Sequence, residues 1–406
     1  MIVRRIELQD FRNYTQQIIV PEAGVNVFYG ENAQGKTNIL EAIYLCTCAR
    51  SHRTARDHEL IRHGCNQYRV AIDFNYFNGS EGAVEIEYLE AVAGDPQRTR
   101  SQRIVRHNGI KLDRIADLMG LFHAVIFAPE DLQLVKEGPA ARRRFLDLLI
   151  SQVRPSYFSD IQQYARFLIQ RNRLLKMMRD DRQTGKISQE KQNNLQIDVW
   201  NQMLAEKAAA IIEQRMIYVQ RINEIAEQSH AALSSGKEKL NVKYKTVAGI
   251  RPDFKREEIY KLFSNKLKSM VNEDIERGTT GQGPHRDDLD LALDGDHVKL
   301  FASQGQQRSA ALSLKLAELA IVRQDTGEPP VLLLDDVMSE LDESRRKRLL
   351  ENIHDAQVFV TCTDARQVVH DIKRDSCYSP DDCNILRKFG FFLVNQGQVQ
   401  SVDYFS

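Results

Sequence analysis

The stretch Gly30-Glu31-Asn32-Ala33-Gln34-Gly35-Lys36-Thr37 sets two glycines, a lysine and a hydroxyl at the spacing G-x-x-x-x-G-K-[ST]. It follows an apolar run, Val25 to Tyr29, and opens a segment with helical spacing, Thr37 to Leu45. Strand, tight loop and helix in that order constrain the fold more than any other part of the chain. Gly30 and Gly35 permit backbone angles closed to residues with a Cβ. Successive N–H groups can then curl inward as an anion nest, and the helix aims its positive end into the same space. Lys36 adds a point charge suited to β- and γ-phosphates, and the Thr37 hydroxyl suits Mg²⁺. A plain glycine turn is the alternative, and the flanking strand and helix argue against it. All eight residues are expected to hold a nucleotide triphosphate.

A second acidic feature lies far down the chain. Val331-Leu332-Leu333-Leu334-Asp335-Asp336 is an apolar strand ending in two carboxylates. Adjacent acids at a buried strand end repel each other, and a metal ion is a natural reason to keep them. Asp335 is expected to hold Mg²⁺ together with Thr37; Asp336 stands one residue further on, where a resemblance to ABC-type ATPase heads implies the acid that orients the attacking water. About 30 residues upstream, Ser303-Gln304-Gly305-Gln306-Gln307-Arg308 opens a helix carrying Leu312, Leu316 and Leu319. A serine there is a good N-cap, and the same geometry offers a hydroxyl and backbone donors to a phosphate.

Ser303 to Gln306 is similar to the signature motif of ABC-type ATPase heads, and Ser339-Glu340-Leu341-Asp342 to their D-loop. Within that superfamily the chain resembles the RecF family. The strings that carry the resemblance are Phe11-Arg12-Asn13-Tyr14, Ser51-His52-Arg53-Thr54, Pro129-Glu130-Asp131-Leu132, Arg142-Arg143-Arg144-Phe145-Leu146-Asp147 and Gly283-Pro284-His285-Arg286-Asp287-Asp288-Leu289. The resemblance implies an α/β fold, an ABC-type P-loop ATPase head with an inserted α-helical arm domain. It implies ATP as the nucleotide, with Ser303, Gly305 and Gln306 capping the γ-phosphate of a partner copy's ATP, and a clamp on DNA formed by an ATP-dependent homodimer. Single-stranded, gapped or junction DNA, recombinational gap repair, replication-fork maintenance, SOS induction and partnership with RecR (alongside RecO and RecA) come with it. A transporter's nucleotide-binding subunit and a Rad50- or SMC-like tethering ATPase are the alternatives. Glu130 stands where many ABC-type heads have a glutamine, and Thr361-Cys362-Thr363-Asp364 supplies no switch histidine. Both departures suggest slow hydrolysis, and the resemblance implies a weak ATPase, stimulated by DNA and used as a switch.

The order of patterns suggests residues 1–139 as the N-terminal part of the head, 140–275 as a helical arm, and 276–406 as the C-terminal part. Two arm helices of 25 to 40 residues would reach roughly 40 to 60 Å. Apolar stripes are expected at Phe167, Leu168, Leu174 and Leu175, and at Val199, Met203, Ala210, Ile211 and Met216. Asn108-Gly109 between alternating runs marks a two-residue hairpin. The 56 basic and 56 acidic residues cancel, so any nucleic-acid surface must come from clustering. Arg98, Arg100, Arg103, Arg106 and Lys111 form one cluster, and Arg50, Arg53, Arg56 and Arg62 another. A solvated charged face is the alternative for each. Six cysteines without paired C-x-x-C spacing imply free thiols in a reducing cytoplasm, and no run approaches the ~18 apolar residues of a membrane span.

Overall fold

The computed structural model describes residues 1–92, 99–184, 190–342, 345–346, 349, 355–366 and 389–402. Strands β1 (Ile2–Phe11) and β2 (Tyr14–Ile19) precede β3 (Val25–Tyr29), the glycine loop and α1 (Lys36–Cys48). Strands β4 (Gln67–Asn75), β5 (Glu81–Leu89), β6 (Gln102–His107), β7 (Ile110–Lys111) and β8 (Ala124–Phe127) follow. Helices α2 (Gln133–Lys136), α3 (Pro139–Val153), α4 (Pro155–Thr184) and α5 (Glu190–Leu233) lead to β9 (Leu240–Lys245), α6 (Arg256–Ser269) and α7 (Val271–Arg277). The chain then forms β10 (Asp288–Leu293), β11 (Asp296–His297), α8 (Val298–Phe301), α9 (Gln304–Thr326), β12 (Val331–Asp335), α10 (Val337–Glu340), β13 (Val358–Cys362), β14 (Phe389–Asn395) and β15 (Gln398–Ser401).

The central sheet has the order β15-β14-β3-β13-β12-β8, and all its neighbours are parallel except β15. Every residue of β8, β12 and β13 is buried, as parallel strands covered on both faces require. Register places Cys362 opposite Tyr29 and Thr361 opposite Asp335. The strand ends carrying the glycine loop and the acidic pair therefore share one edge, although nearly the whole chain separates them. An antiparallel sheet, β2-β1-β4-β5-β6-β7, covers α1 from the other side, and Ile39, Leu40, Ile43 and Leu45 fill the space between. The Asn108-Gly109 turn joins β6 and β7 as expected, with φ of 49° and 77°.

The helical region departs from a free-standing arm. At 44 residues α5 is about 66 Å long, but Leu204 to Ala226 are built into the main core beside α9 and β9. Only a satellite cluster, Leu174, Leu175, Met178, Ile197 and Ile275, packs the distal end. Of the expected stripes, Leu174, Leu175, Ala210 and Ile211 are buried, whereas Val199 is 56% exposed. The buried row runs instead through Leu204, Ala205, Ala208 and Ala209, because small residues let α5 approach its neighbours. Strand β9 pairs with β10 from Leu240–Leu293 to Lys245–Asp288, so a division at 275/276 would cut through a sheet. Arg142, Arg143 and Arg144 brace this region against the head: Arg142 grips Asp288 at 2.7 and 2.9 Å, Arg143 donates to the Asp287 carbonyl, and Arg144 to that of Ser51. Gly185, where the sequence suggests a turn between the two arm helices, lies outside the described residues, as do Cys377 and Cys383; Cys46, Cys48, Cys65 and Cys362 are free thiols.

Candidate nucleotide-binding site

The glycine loop needs its glycines for identifiable reasons. Gly30 has φ +148° and a Cβ there would lie 2.4 Å from the Val394 carbonyl oxygen. Gly35 has φ +115°, and its Cβ would strike the Asn13 side chain at 2.5 Å and the Tyr14 hydroxyl at 2.9 Å. Asn13 donates to the Gln34 carbonyl at 2.8 Å and Tyr14 to that of Gly35 at 3.0 Å. From the far end of the chain, the amides of Gln396 and Gly397 donate to the Gln34 side chain and carbonyl, at 2.7 and 3.2 Å. The loop is thus clamped by the β1–β2 turn on one side and the β14–β15 turn on the other. Glu31, Asn32 and Ala33 are exposed at its crest, and Ala33 takes φ +65°.

Lys36 folds back to donate to the carbonyls of Gly30 and Glu31, each at 2.7 Å. Burial pushes its ammonium below the ordinary lysine range, while Asp336, Cys362 and Asp335 act in the opposite direction. The Thr37 hydroxyl donates to Asp335 Oδ1 at 2.8 Å. Thr361 donates to the same oxygen at 2.8 Å, and its hydroxyl accepts the Asp336 amide at 2.9 Å. Asp335 is buried, which raises its carboxyl pKa despite these two donors. Asp336 is exposed with φ +53°, so the two acids that are adjacent in sequence occupy different environments. A hydroxyl and a carboxylate converging beside a lysine-bearing anion nest are hard oxygen donors of the kind Mg²⁺ takes alongside phosphate oxygens.

Sequence reasoning missed Thr361 and the network under α1. Glu41 is fully buried; Arg12 binds it at 2.8 and 2.9 Å, the Ser51 hydroxyl donates to it, and Arg53 approaches to 3.6 Å. Arg53 also lies 3.9 Å from Glu130, the residue at the glutamine-loop position, and both act electrostatically on Asp335. A lone acid on an otherwise apolar helix was the available signal. Thr363 is exposed beyond the end of β13.

The signature segment sits at the start of α9. Ser303 is its N-cap: its hydroxyl accepts the Gln306 amide at 3.3 Å, and Gln306 Oε1 accepts the Ser303 amide at 2.7 Å. Gln306 also donates to Glu238 at 2.9 Å, and Glu238 meets the buried His230 of α5 at 3.1 Å. Arg345 donates to the Gly305 carbonyl at 3.0 Å and pairs with Asp342 of the D-loop-like string at 2.6 Å. None of these bonds reaches the glycine loop. Leu300 and Phe301, just before the cap, are each 70% exposed. Gly305 has room for a side chain, since a Cβ would meet nothing closer than Arg345 at 3.6 Å.

The expected basic array looks different in three dimensions. Arg103 pairs with Asp57, and Arg106 pairs with Glu85 and, at 3.2 Å, Glu87. The partners come from other elements and were invisible to a count along 98–114. Arg100 and Lys111 are exposed, and Arg98 lies outside the described residues. In the second cluster Arg62 pairs with Asp10 at 2.8 Å and Arg56 with Glu59 at 3.6 Å, while Arg50 is exposed.

Comparison with known proteins agrees with this architecture. The family described as "RecF/RecN/SMC N terminal domain" matches residues 2–379. The chain is 44% identical over 363 residues to the DNA replication and repair protein RecF of Ruminiclostridium cellulolyticum, covering 89% of this chain and 93% of that protein. Its counterpart in Bacillus subtilis is 37% identical over 398 residues, 98% of this chain and 99% of the relative. A solved structure of the recombination mediator protein RecF with ATP superposes with a TM-score of 0.84 at 33% identity, covering 99% of this chain and 98% of the other. An SMC head domain from Pyrococcus furiosus shares the fold at 16% identity and a TM-score of 0.51.

Proposed function

The chain belongs to the RecF family of DNA replication and repair proteins, and from that premise we propose that it is an ATP-operated DNA clamp made of two copies. The glycine loop from Gly30 to Thr37 binds the ATP phosphates, with Lys36 released from its loop carbonyls to meet them. Mg²⁺ would be held by Thr37 and Asp335 and would supply neutralisation of charge on the β- and γ-phosphates. Thr361 fixes the Asp335 carboxylate, and Asp336, held in its unusual backbone conformation, orients water. Thr363 and Glu130 in place of the usual switch histidine and loop glutamine favour slow turnover, so binding and release govern the state of the protein more than the rate of cleavage.

The observation that carries the two-copy reading is Gly305. A glycine inside the first turn of a helix costs about 0.5–1 kcal/mol relative to alanine. Nothing among the described residues requires it, because a methyl group would fit. The smallness serves an approach from outside the chain, and the Ser303 hydroxyl and the first amides of α9 face the same way as a phosphate cap. The adjoining exposed Leu300 and Phe301 supply apolar surface for the second copy to cover. Gapped and single-stranded DNA, together with RecR and the RecO and RecA steps, are the partners this reading assigns, in the cytoplasm. No helix among the described residues is long and apolar enough to cross a membrane.

Light scattering on a sizing column with Mg·ATP, with ADP and without nucleotide, each with and without gapped duplex, tests the reading. A doubling of mass with Mg·ATP is expected. Lys36→Ala should weaken nucleotide binding at least 100-fold and remain single. A wild-type protein that stays single in Mg·ATP and DNA at high concentration would refute the clamp.

A further inference from the structure

Given the DNA-binding reading above, on which this inference rests, the structure assigns the DNA phosphate-contacting face to the base of the arm: Arg166, Arg173 and Lys176 of α4, with Arg286 in the adjoining groove. The argument starts from charge balance. On the antiparallel sheet of the head, arginines and carboxylates alternate: Arg5 meets Glu7, Arg69 meets Glu7 and Glu85, Arg106 meets Glu85 and Glu87, and Arg103 meets Asp57. A polyanion gains little from a surface whose cations are already neutralised at such distances. Helix α4 is the opposite case. From Ile161 to Arg179 it contains five basic residues and no acidic one. Arg171 is turned inward to Asp274, and Arg179 pairs with Asp180. Arg166, Arg173 and Lys176 are exposed, and none has a carboxylate partner among the described residues. Positions 166, 173 and 176 share one helix face, and the first and last lie about 15 Å apart along the axis.

The groove beside this row is built, not incidental. The segment Gly278 to Asp287 is held to α4 by Thr280, whose amide and hydroxyl donate to Asn172 at 2.8 and 2.7 Å, and by the Tyr164 hydroxyl 2.7 Å from His285 Nδ1. Fully buried Arg171 bonds Thr280, Asp274 and Asn201 from beneath, and buried Arg215 bonds Asp287 and the Pro284 carbonyl. A Cβ on Gly278 would touch the Arg179 guanidinium at 2.9 Å and the Lys176 stem at 3.1 Å, so the segment that leads into the groove packs beside the exposed row. The groove, of about 470 Å³, is lined by Thr279, Gly281, Gln282, Gly283 and Arg286 among others. The Arg286 guanidinium is exposed and makes no hydrogen bond or ion pair with any described residue, and the amides of Gln282 and Gly283 donate to none. The one carboxylate in the wall, Asp287, is occupied by Arg215 and Tyr244. An unpaired guanidinium beside a row of uncompensated cations matches the phosphate contacts that position a protein on DNA without reading sequence.

The test is the salt dependence of binding to a fluorescein-labelled gapped duplex, with Mg·ATP present, for the full chain. The triple variant Arg166→Gln/Arg173→Gln/Lys176→Gln should lower the slope of log K against log salt by about 2 to 3, and affinity at least tenfold near 0.1 M salt. Arg286→Gln should lower the slope by about one. Both should keep the wild-type affinity for a fluorescent ATP analogue, and Arg103→Gln/Arg106→Gln should keep the wild-type slope. If the triple variant and Arg286→Gln bind the duplex as the wild type does, this face is wrong while the DNA reading stands. If the wild type itself shows no salt-dependent binding to the duplex, both fail together.

Discussion

Replacing Thr361 by valine isolates the link between the glycine loop and Asp335, the acid proposed to hold Mg²⁺. The Thr361 hydroxyl donates to Asp335 Oδ1 at 2.8 Å and accepts the Asp336 amide at 2.9 Å. Valine keeps the shape and removes both bonds. The bond to Asp335 is charge-assisted and contributes about 1.5–3 kcal/mol, and the bond from the Asp336 amide is lost with it. Asp335 keeps Thr37 as a donor, and the strand register keeps Asp335 in place, so the acid loses precision more than position. Its carboxyl is already raised by burial. Losing a donor raises it further, so more of the acid is protonated, and the deprotonated form that binds metal is reached only at higher pH. We expect ATP turnover, or Mg²⁺-dependent tightening of ATP binding where turnover is slow, to fall about 10- to 100-fold at neutral pH. The deficit should shrink as pH rises. Metal-free nucleotide binding, which depends on the loop and Lys36, should change less than about threefold, and Thr361→Ser should restore most of the loss. A Thr361→Val protein with wild-type Mg²⁺ dependence at neutral pH would show that the hydroxyl does not govern Asp335.

Ser303→Arg should leave ATP binding by the single chain unchanged and prevent nucleotide-dependent pairing on the sizing column; normal pairing would argue against the signature as a trans cap. Arg215→Met leaves Asp147 and Asp287 without their buried partner, and the chain should lose about 3–5 kcal/mol in urea unfolding; adding Asp287→Asn should recover part of it. Asp131 is pushed up to about 6 by burial, with Lys315 opposing the shift. Its folded pKa lies above the unfolded one, so its contribution is complete below about pH 4 and lost as pH rises through about 6. Asp131→Asn should therefore gain up to about 3 kcal/mol over wild type at pH 7 and nothing at pH 4. An offset identical at both pH values would contradict this.

What the sequence disclosed followed from how local each feature is. The eight residues from Gly30 to Thr37 are consecutive, and their backbone requirements are written in their own identities. Asp335 was legible because an apolar strand with an acidic end is also a local pattern. Thr361 was not, because its role comes from parallel register with a strand some 25 residues away. The pairing of Arg106 with Glu85 and Glu87 was hidden for the same reason: a cross-strand neighbour is adjacent in space only. The basic face of α4 was overlooked because its arginines sat within a stretch read for apolar periodicity, where Arg171 is buried and Arg173 exposed two residues later. Val199 was assigned to the core on spacing, yet the buried positions on either side of it are Ile197 and Asn201, which puts Val199 on the outer face of α5.

The strand that leads into the glycine loop lies between β13 and β14, and Gln34 of the loop is tied down by Gln396 and Gly397. During synthesis, this pocket therefore stays unfinished until β14 and the turn that follows it have left the ribosome. A chain terminated before Gln396 would display the right motif without the contacts that hold the loop in shape, and should retain a phosphate ligand poorly.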